Sequence, residues 1–423
     1  LPSMSKLFLE EIVEDSPVRC FCLSLSGPQP RGGAAACVVG DELVVFGGAR
    51  VDGTPLDSTC CFNTKTRTWR ELERADGAPS ARSGHSLVAC DDGRAYLFGG
   101  LNIRDQELYN DVYCLDSEFS WHRVEAAGDA PSRRNSHVAV FVRIGEHAFI
   151  LVHGGSSPEE GYSSELHALE VTERGRERWV PLAQVATAVW EEQGREATAA
   201  GTGGTGGPSA REMHAGCVLR MSAAALDDAF GAAAAGKVVS VWKRGDGAAA
   251  EVKDAEPEAK EADSTSPHVP VLFVHGGRGE HGEVSNEAFL FRLDTLQWSA
   301  PIKSPCAACA HGCVALDADT VLLLGGWDGA AVLHEQPYAL HADLLEWTEG
   351  ALTPHKPSPR FAFAMSAAGA AASTKPGSKV GPPVAYLFGG IDLTGTEFGD
   401  VVALIRSRSR EEGDGARCAN HWR

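Results

Sequence analysis

Basic residues and long apolar runs are what this sequence has little of. Its 38 Lys and Arg stand against 57 Asp and Glu, a formal net charge of −19. That balance argues against nucleic acid as the main partner, because phosphate binding needs a basic face. No run of about 18 apolar residues occurs, so no membrane insertion is expected. Residues 1–6 carry no signal-peptide pattern. The 12 cysteines are spread thinly over 423 residues. Several fall where strand core residues belong, so they read as reduced, buried thiols in a cytoplasmic protein rather than a disulfide framework. Gly-x-Ser-x-Gly elbow, P-loop, dinucleotide fingerprint and His-Glu-x-x-His are all missing, so no cofactor is implied.

Glycine is abundant, at 47 residues. Six Gly-Gly pairs each end a run of apolar residues: Gly47-Gly48, Gly99-Gly100, Gly154-Gly155, Gly276-Gly277, Gly325-Gly326 and Gly389-Gly390. Runs such as Leu43-Val44-Val45-Phe46 and Leu272-Phe273-Val274-His275 fit strands buried on both faces. The glycines fit strand ends where the backbone takes unusual dihedrals or approaches a neighbour closely. Trp69, Trp121, Trp298 and Trp347 each lie 21 residues beyond the second Gly of a pair, and Trp179 lies 24 beyond. A short strand precedes each Trp, and Pro, Arg and His follow before the next apolar run, as in Ala130-Pro131-Ser132-Arg133-Arg134-Asn135-Ser136-His137.

This order (Pro, Arg, His, apolar strand, Gly-Gly, strand, Trp) resembles the kelch motif. The Gly and Pro between Trp121 and Arg134 resemble its Gly/Pro-Arg-His subtype. The resemblance implies an all-β fold, a six-bladed kelch β-propeller with four antiparallel strands per blade. The last repeat lacks its Trp strand, whereas Arg19-Cys20-Phe21-Cys22-Leu23-Ser24-Leu25 is an outer strand without a blade. The N-terminal strand is therefore expected to close the last blade and remove the open edges. The domain organisation expected is a 1–17 extension, a propeller over 18–405 and a 406–423 tail. Low-complexity insertions are expected at 184–209, 221–268 and 367–382. The second of these is Ala- and acid-rich and reads as mostly unstructured, apart from a strand or docking segment at Val238-Val239-Ser240-Val241-Trp242.

Three groups of residues are candidate sites. Arg31, Arg82, Arg134, Arg211 and Arg360 share one repeat slot, which in kelch propellers lies near a mouth of the central channel; blade five has Ala308 there. Guanidinium groups converging on that mouth suit an acidic peptide segment, although bracing a neighbouring loop is favoured for each one singly. The loops after Gly-Gly form a polar rim with Arg50, Asn102, Arg104, Arg278, Trp327 and Asp328, Trp327 being its one aromatic anchor. Cys306, Cys309, His311 and Cys313 are a weak metal candidate, since a closed zinc site needs four convergent ligands; no metal is expected. Repetition makes His85, His137, His214 and His311 packed residues first.

The function expected is a non-catalytic scaffold or adaptor that binds a protein partner across the loop face and channel mouth. The alternative is a small-molecule enzyme in the channel, a sugar isomerase, mutarotase or oxidase. Against an oxidase, the six tyrosines show no convergent Tyr/Cys/His set of the kind the copper-containing kelch relatives use.

Overall fold

Alternation and apolar runs become strands here, and the turn glycines set where they stop. The computed structural model describes residues 18–24, 27–195, 206–234, 241–243, 267–330, 335–350, 352–354, 357–369 and 383–406. The 1–17 extension, most of the tail, 196–205 of the first expected insertion and most of the other two lie outside the described residues. Six antiparallel sheets form a β-propeller. In blade one the strands are Ala35–Val39, Glu42–Phe46, Thr59–Asn63 and Thr68–Glu71, paired in that order. The innermost strands of successive blades are Ala35–Val39, Ser86–Ala89, Val138–Ile144, Ala215–Ser222, Gly312–Ala315 and Ala364–Ala367. Each neighbours the next, and the last returns to the first. Second strands are buried along their length, as in Ala95–Phe98 and Thr320–Leu324, because neighbouring blades cover both faces of each sheet.

The ring closes where the sequence places its join. Val18–Ser24 pairs antiparallel with Val401–Arg406 as the outer strand of blade six, with Cys20 opposite Leu404. In blades one to five the position opposite the corresponding third-strand residue is a Trp, for example Trp69 opposite Phe62 and Trp121 opposite Leu115. Buried Cys20 therefore fills the Trp position of blade six.

The tryptophans key each blade to the one before it. Trp69, Trp121, Trp179, Trp298 and Trp347 stand 5.3–5.9 Å, centroid to centroid, from Phe388, Phe46, Phe98, His153 and His275. Each partner is the residue just before the preceding blade's Gly-Gly pair.

Two stretches within the expected insertions are helical, which corrects the low-complexity reading there. Helix α1, Leu182–Glu192, starts after Pro181 and ends before Gly194, a proline–glycine punctuation that suits helix ends. It buries Val185, Val189 and Trp190 between blades three and four. Helix α2, Ala223–Ala234, begins where the Ser222 hydroxyl accepts the Ala225 N–H. It buries Leu226, Ala229 and Ala233 between blades four and five. Spacing of three and four residues puts those side chains on one helical face. Blades five and six also exceed four strands: Val241–Lys243 pairs parallel with Glu346–Glu349, and Leu352–Pro354 pairs parallel with Val18–Ser24.

Candidate functional site

The Arg slot opens each inner strand. Its carbonyl and side chain do different jobs. The carbonyls of Arg82, Arg134, Arg211, Ala308, Arg360 and Arg31 accept the N–H of Gly48, Gly100, Gly155, Gly277, Gly326 and Gly390, the second glycine of the preceding blade, at 2.8–3.0 Å. Ala308 serves as well as arginine for that bond. Both glycines of a pair have positive φ, 65° and 92° at Gly47 and Gly48. A Cβ on Gly47 would lie 2.6 Å from the Arg82 carbonyl oxygen, so a side chain there would break the blade junction.

Each slot guanidinium turns back into its own blade. Nη1 of Arg31, Arg82, Arg134, Arg211 and Arg360 donates to the carbonyl of Gly47, Gly99, Gly154, Gly276 and Gly389 at 2.7–3.1 Å. Arg82 and Arg360 add bidentate pairs to Asp111 and Asp400. Arg134 reaches Glu165 at 3.1 Å, and Arg31 reaches the neutral Ser58 hydroxyl at 2.9 Å. Arg82 and Arg360 also stack on Tyr109 and Phe398, each 3.8 Å from the ring centroid. All five arginines are buried. Burial lowers the pKa of Arg31 and Arg211, which have no carboxylate bonded to them.

Two residues past the slot, a second ring surrounds the channel. The N–H of Gly33 donates to the Ala362 carbonyl, Ala362 to Ala310, Ala310 to Met213, Met213 to Ser136, Ser136 to Gly84, and Gly84 to Gly33, at 2.7–3.0 Å. All six have φ between 51° and 65°, the left-handed region, which non-glycine residues adopt at a cost. The closed circle of bonds uses both backbone groups of every member.

One residue further on come the histidines. His85 and His137 pack edge-on to Phe46 and Phe98, while His214 and His311 bond to His153 and His275, with 2.9 Å between ring nitrogens. Burial first, then nearby arginines, holds the His85 and His153 pKa values down at about 3; burial and Arg134 do the same for His137. These are neutral packing residues at blade junctions. The weak metal set disperses: Cys306 meets Ser304, the Cys309 backbone pairs with Trp327, His311 meets His275, and Cys313 faces Cys217. Burial pushes the Cys306 and Cys309 thiols up to about 11. Among the described residues no group of three or more His, Cys, Asp or Glu could hold a metal.

The rim residues divide. Arg50 is partly exposed and lies 3.9 Å from Glu397, and Arg104 is exposed. Asn102, placed on the rim by sequence, is buried instead, where its side-chain oxygen accepts the N–H groups of Arg104 and Asp105; it shapes its own loop. Arg278 pairs at 2.6 Å with buried Glu212, which also takes the hydroxyls of Tyr162 and Ser156. Sequence reasoning missed Glu212; the signal was an acid directly after the slot, where other blades have Gly, Ser, Asn, Cys or Phe. Trp327 leans on Phe361 of blade six, 6.3 Å between centroids, and Asp328 accepts the Ala330 N–H. Over blade three a pocket of about 230 Å³ is lined by Ser132, Ser156, Ser157, Tyr162 and Glu165 around Arg134.

Residues 22–202 match the family model described as the KLHDC2/KLHL20/DRC7 Kelch-repeats domain. The chain is 32% identical over 140 residues to acyl-CoA-binding domain-containing protein 4 of Arabidopsis thaliana, covering 33% of this chain and 20% of that protein. It is 32% identical over 143 residues to Adagio protein 3 of the same plant, covering 33% and 22%. Kelch domain-containing protein 3 of Rattus norvegicus is 29% identical over 147 residues, covering 32% and 37%. The matched region thus spans about a fifth to a third of these curated relatives.

Proposed function

We propose, from the premise that this chain belongs to the kelch-repeat β-propellers, that it is a non-catalytic scaffold which binds a partner protein across its loop face. The observation that carries this reading is how the slot chemistry is spent. Five guanidinium groups brace their own blades, four slot histidines pack at blade junctions, and the blade-five cysteines meet neighbours within the propeller, and the side chains left facing outward are those of the loops after Gly-Gly. An acidic segment aimed at Arg82, Arg134 or Arg360 would have to displace Asp111, Glu165 or Asp400 from charge-assisted bonds, and Arg31 and Arg211 are themselves buried. The partner contacts are therefore assigned to the outer rim, with Arg50, Arg104, Arg278, Trp327 and Asp328 among them. The enzyme alternative would have to use a channel whose encircling amides already bond one another. No helix among the described residues is long and apolar enough to cross a membrane. Nine free, buried cysteines among the described residues support a reducing, cytoplasmic location.

Affinity purification of the full chain with mass spectrometry identifies partners, and two variants test the face. One changes the blade-three and blade-four tips (Glu159→Ala, Glu160→Ala, Glu280→Ala, His281→Ala); the other changes the tips of blades six, one and two. Loss of partner binding in either variant is expected. Unchanged affinity for every partner in both would overturn the scaffold reading.

A further inference from the structure

The loop face has two chemically different halves. In each blade the residue after Gly-Gly bridges, backbone to backbone, to the residue after the Arg slot. In blades three and four those pairs are polar, Asn135 with Ser156 and Glu212 with Arg278. Round blades five, six, one and two they become Cys309 with Trp327, Phe361 with Ile391, Gly32 with Ala49, and Ser83 with Leu101. Trp327, Phe361, Ile391, Ala49 and Leu101 are each half-buried, an apolar floor running round part of the channel mouth.

The tips above that floor repeat the pattern. Among the described residues only three large apolar side chains are strongly exposed: Val51 at 61%, Ile103 at 56% and Leu393 at 48%. All three occupy one repeat position, third after the second glycine, in the adjacent blades one, two and six. The loops of blades one and six touch: the Val51 N–H donates to Glu397 of blade six, and a Cβ on Gly395 would lie 3.4 Å from the Val51 methyl; the Ile103 loop belongs to the next blade round. Singly exposed apolar residues are ordinary; a set at one repeat position over the loops of three adjacent blades is a patch.

We infer that this half of the loop face, from Trp327 round to Ile103, docks a segment of another protein that presents apolar side chains flanked by lysine or arginine; the inference rests on the scaffold reading. Charge selects the flanks. The first eight residues after these four Gly-Gly pairs include six carboxylates (Asp52, Asp105, Glu107, Asp328, Asp392, Glu397) against two guanidinium groups, Arg50 and Arg104. The same charge disfavours a second copy of this chain, whose net −19 would bring like sectors together. Val18 pairs with Arg406 at the end of the outer strands opposite Ser24 and Val401, which adjoin the loops.

The test is selection of a random-peptide phage library on the full chain, followed by binding measurements of selected synthetic peptides to the full chain and to Val51→Ser/Ile103→Ser/Leu393→Ser, with the blade-three and blade-four tip variant as control. Apolar peptides with basic flanks are expected, weakened roughly tenfold or more by the triple substitution and unchanged by the control. Matching far-ultraviolet circular dichroism and melting of the triple variant confirm its fold. Enrichment of acidic or wholly polar peptides, or affinity indifferent to the triple substitution, would overturn the inference. So would concentration-dependent dimerisation abolished by that substitution, which would make a second copy the occupant. Partner loss only in the blade-three and blade-four variant would overturn it while leaving the scaffold reading intact.

Discussion

Within the Arg slot, one residue carries two separable duties. The backbone carbonyl joins blades and is indifferent to the side chain, as Ala308 shows by accepting the Gly277 N–H at 2.8 Å. The guanidinium fastens the inner strand to its own blade, and its worth depends on what it meets. Arg82 is fully buried against Asp111 and the Gly99 carbonyl, so Arg82→Ala leaves a carboxylate without its cation and should cost about 3–5 kcal/mol. Arg31 meets a carbonyl and a neutral hydroxyl, so Arg31→Ala should cost only about 1–3 kcal/mol. Denaturant unfolding of the two variants checks the order; equal losses would mean that the Asp111 pair adds nothing. The slot was legible in the sequence as a repeat position. Its role was not, because a repeated arginine looks the same whether it faces a ligand or its own sheet.

The elements show how a core can hide inside a biased composition. Averaged over 221–268, the second insertion is small, acidic and unpromising. Its helix α2, Ala223–Ala234, nevertheless places Leu226, Ala229 and Ala233 on one face, and a neighbouring inter-blade core is there to receive them. Leu226 is fully buried, so Leu226→Ala should cost about 2–5 kcal/mol, as for a core leucine. A substitution in an unstructured segment would cost nothing measurable, and thermal melting separates the two cases. Added strands work at the opposite edge. Val241–Lys243 and Leu352–Pro354 lie along the outer strands of blades five and six, which shields edges that would otherwise offer free backbone groups. The apolar run at 238–242 pointed to the first of these strands, but no local pattern announces its parallel partner, which lies far away in sequence.

Over the whole molecule, stability should follow pH through the histidines at the blade junctions. His85, His137 and His153 have folded-state pKa values lowered to about 3, and His214 is held well below its ordinary value, in each case mainly by burial. The unfolded chain takes up protons below about 6.5 and the folded ring does not. Their contribution is therefore present above about pH 6.5 and falls as the solution is acidified, by about 1.4 kcal/mol per pH unit for each histidine. Blade six has Phe363 in the same slot, so His85→Phe should be tolerated at neutral pH and should remove one proton from the acid slope. Unfolding midpoints at neutral and mildly acidic pH test this; identical acid sensitivity in the variant and the parent would show that His85 does not contribute.

The sequence by itself determined the blade count, the strand pattern and the place of closure. Those follow from side-chain periodicity, from glycines that only a crowded strand end requires, and from an outer strand missing at one terminus and spare at the other. Tertiary structure alone decided what the repeated side chains are for. It buried the slot arginines and histidines at the blade junctions, parted Cys306, Cys309, His311 and Cys313 among different partners, and turned part of an insertion into core. It also brought the Leu393 loop against that of Val51, from which most of the chain separates it. Exposure and convergence are properties of packed surfaces, and a local sequence pattern carries neither until the ring has closed.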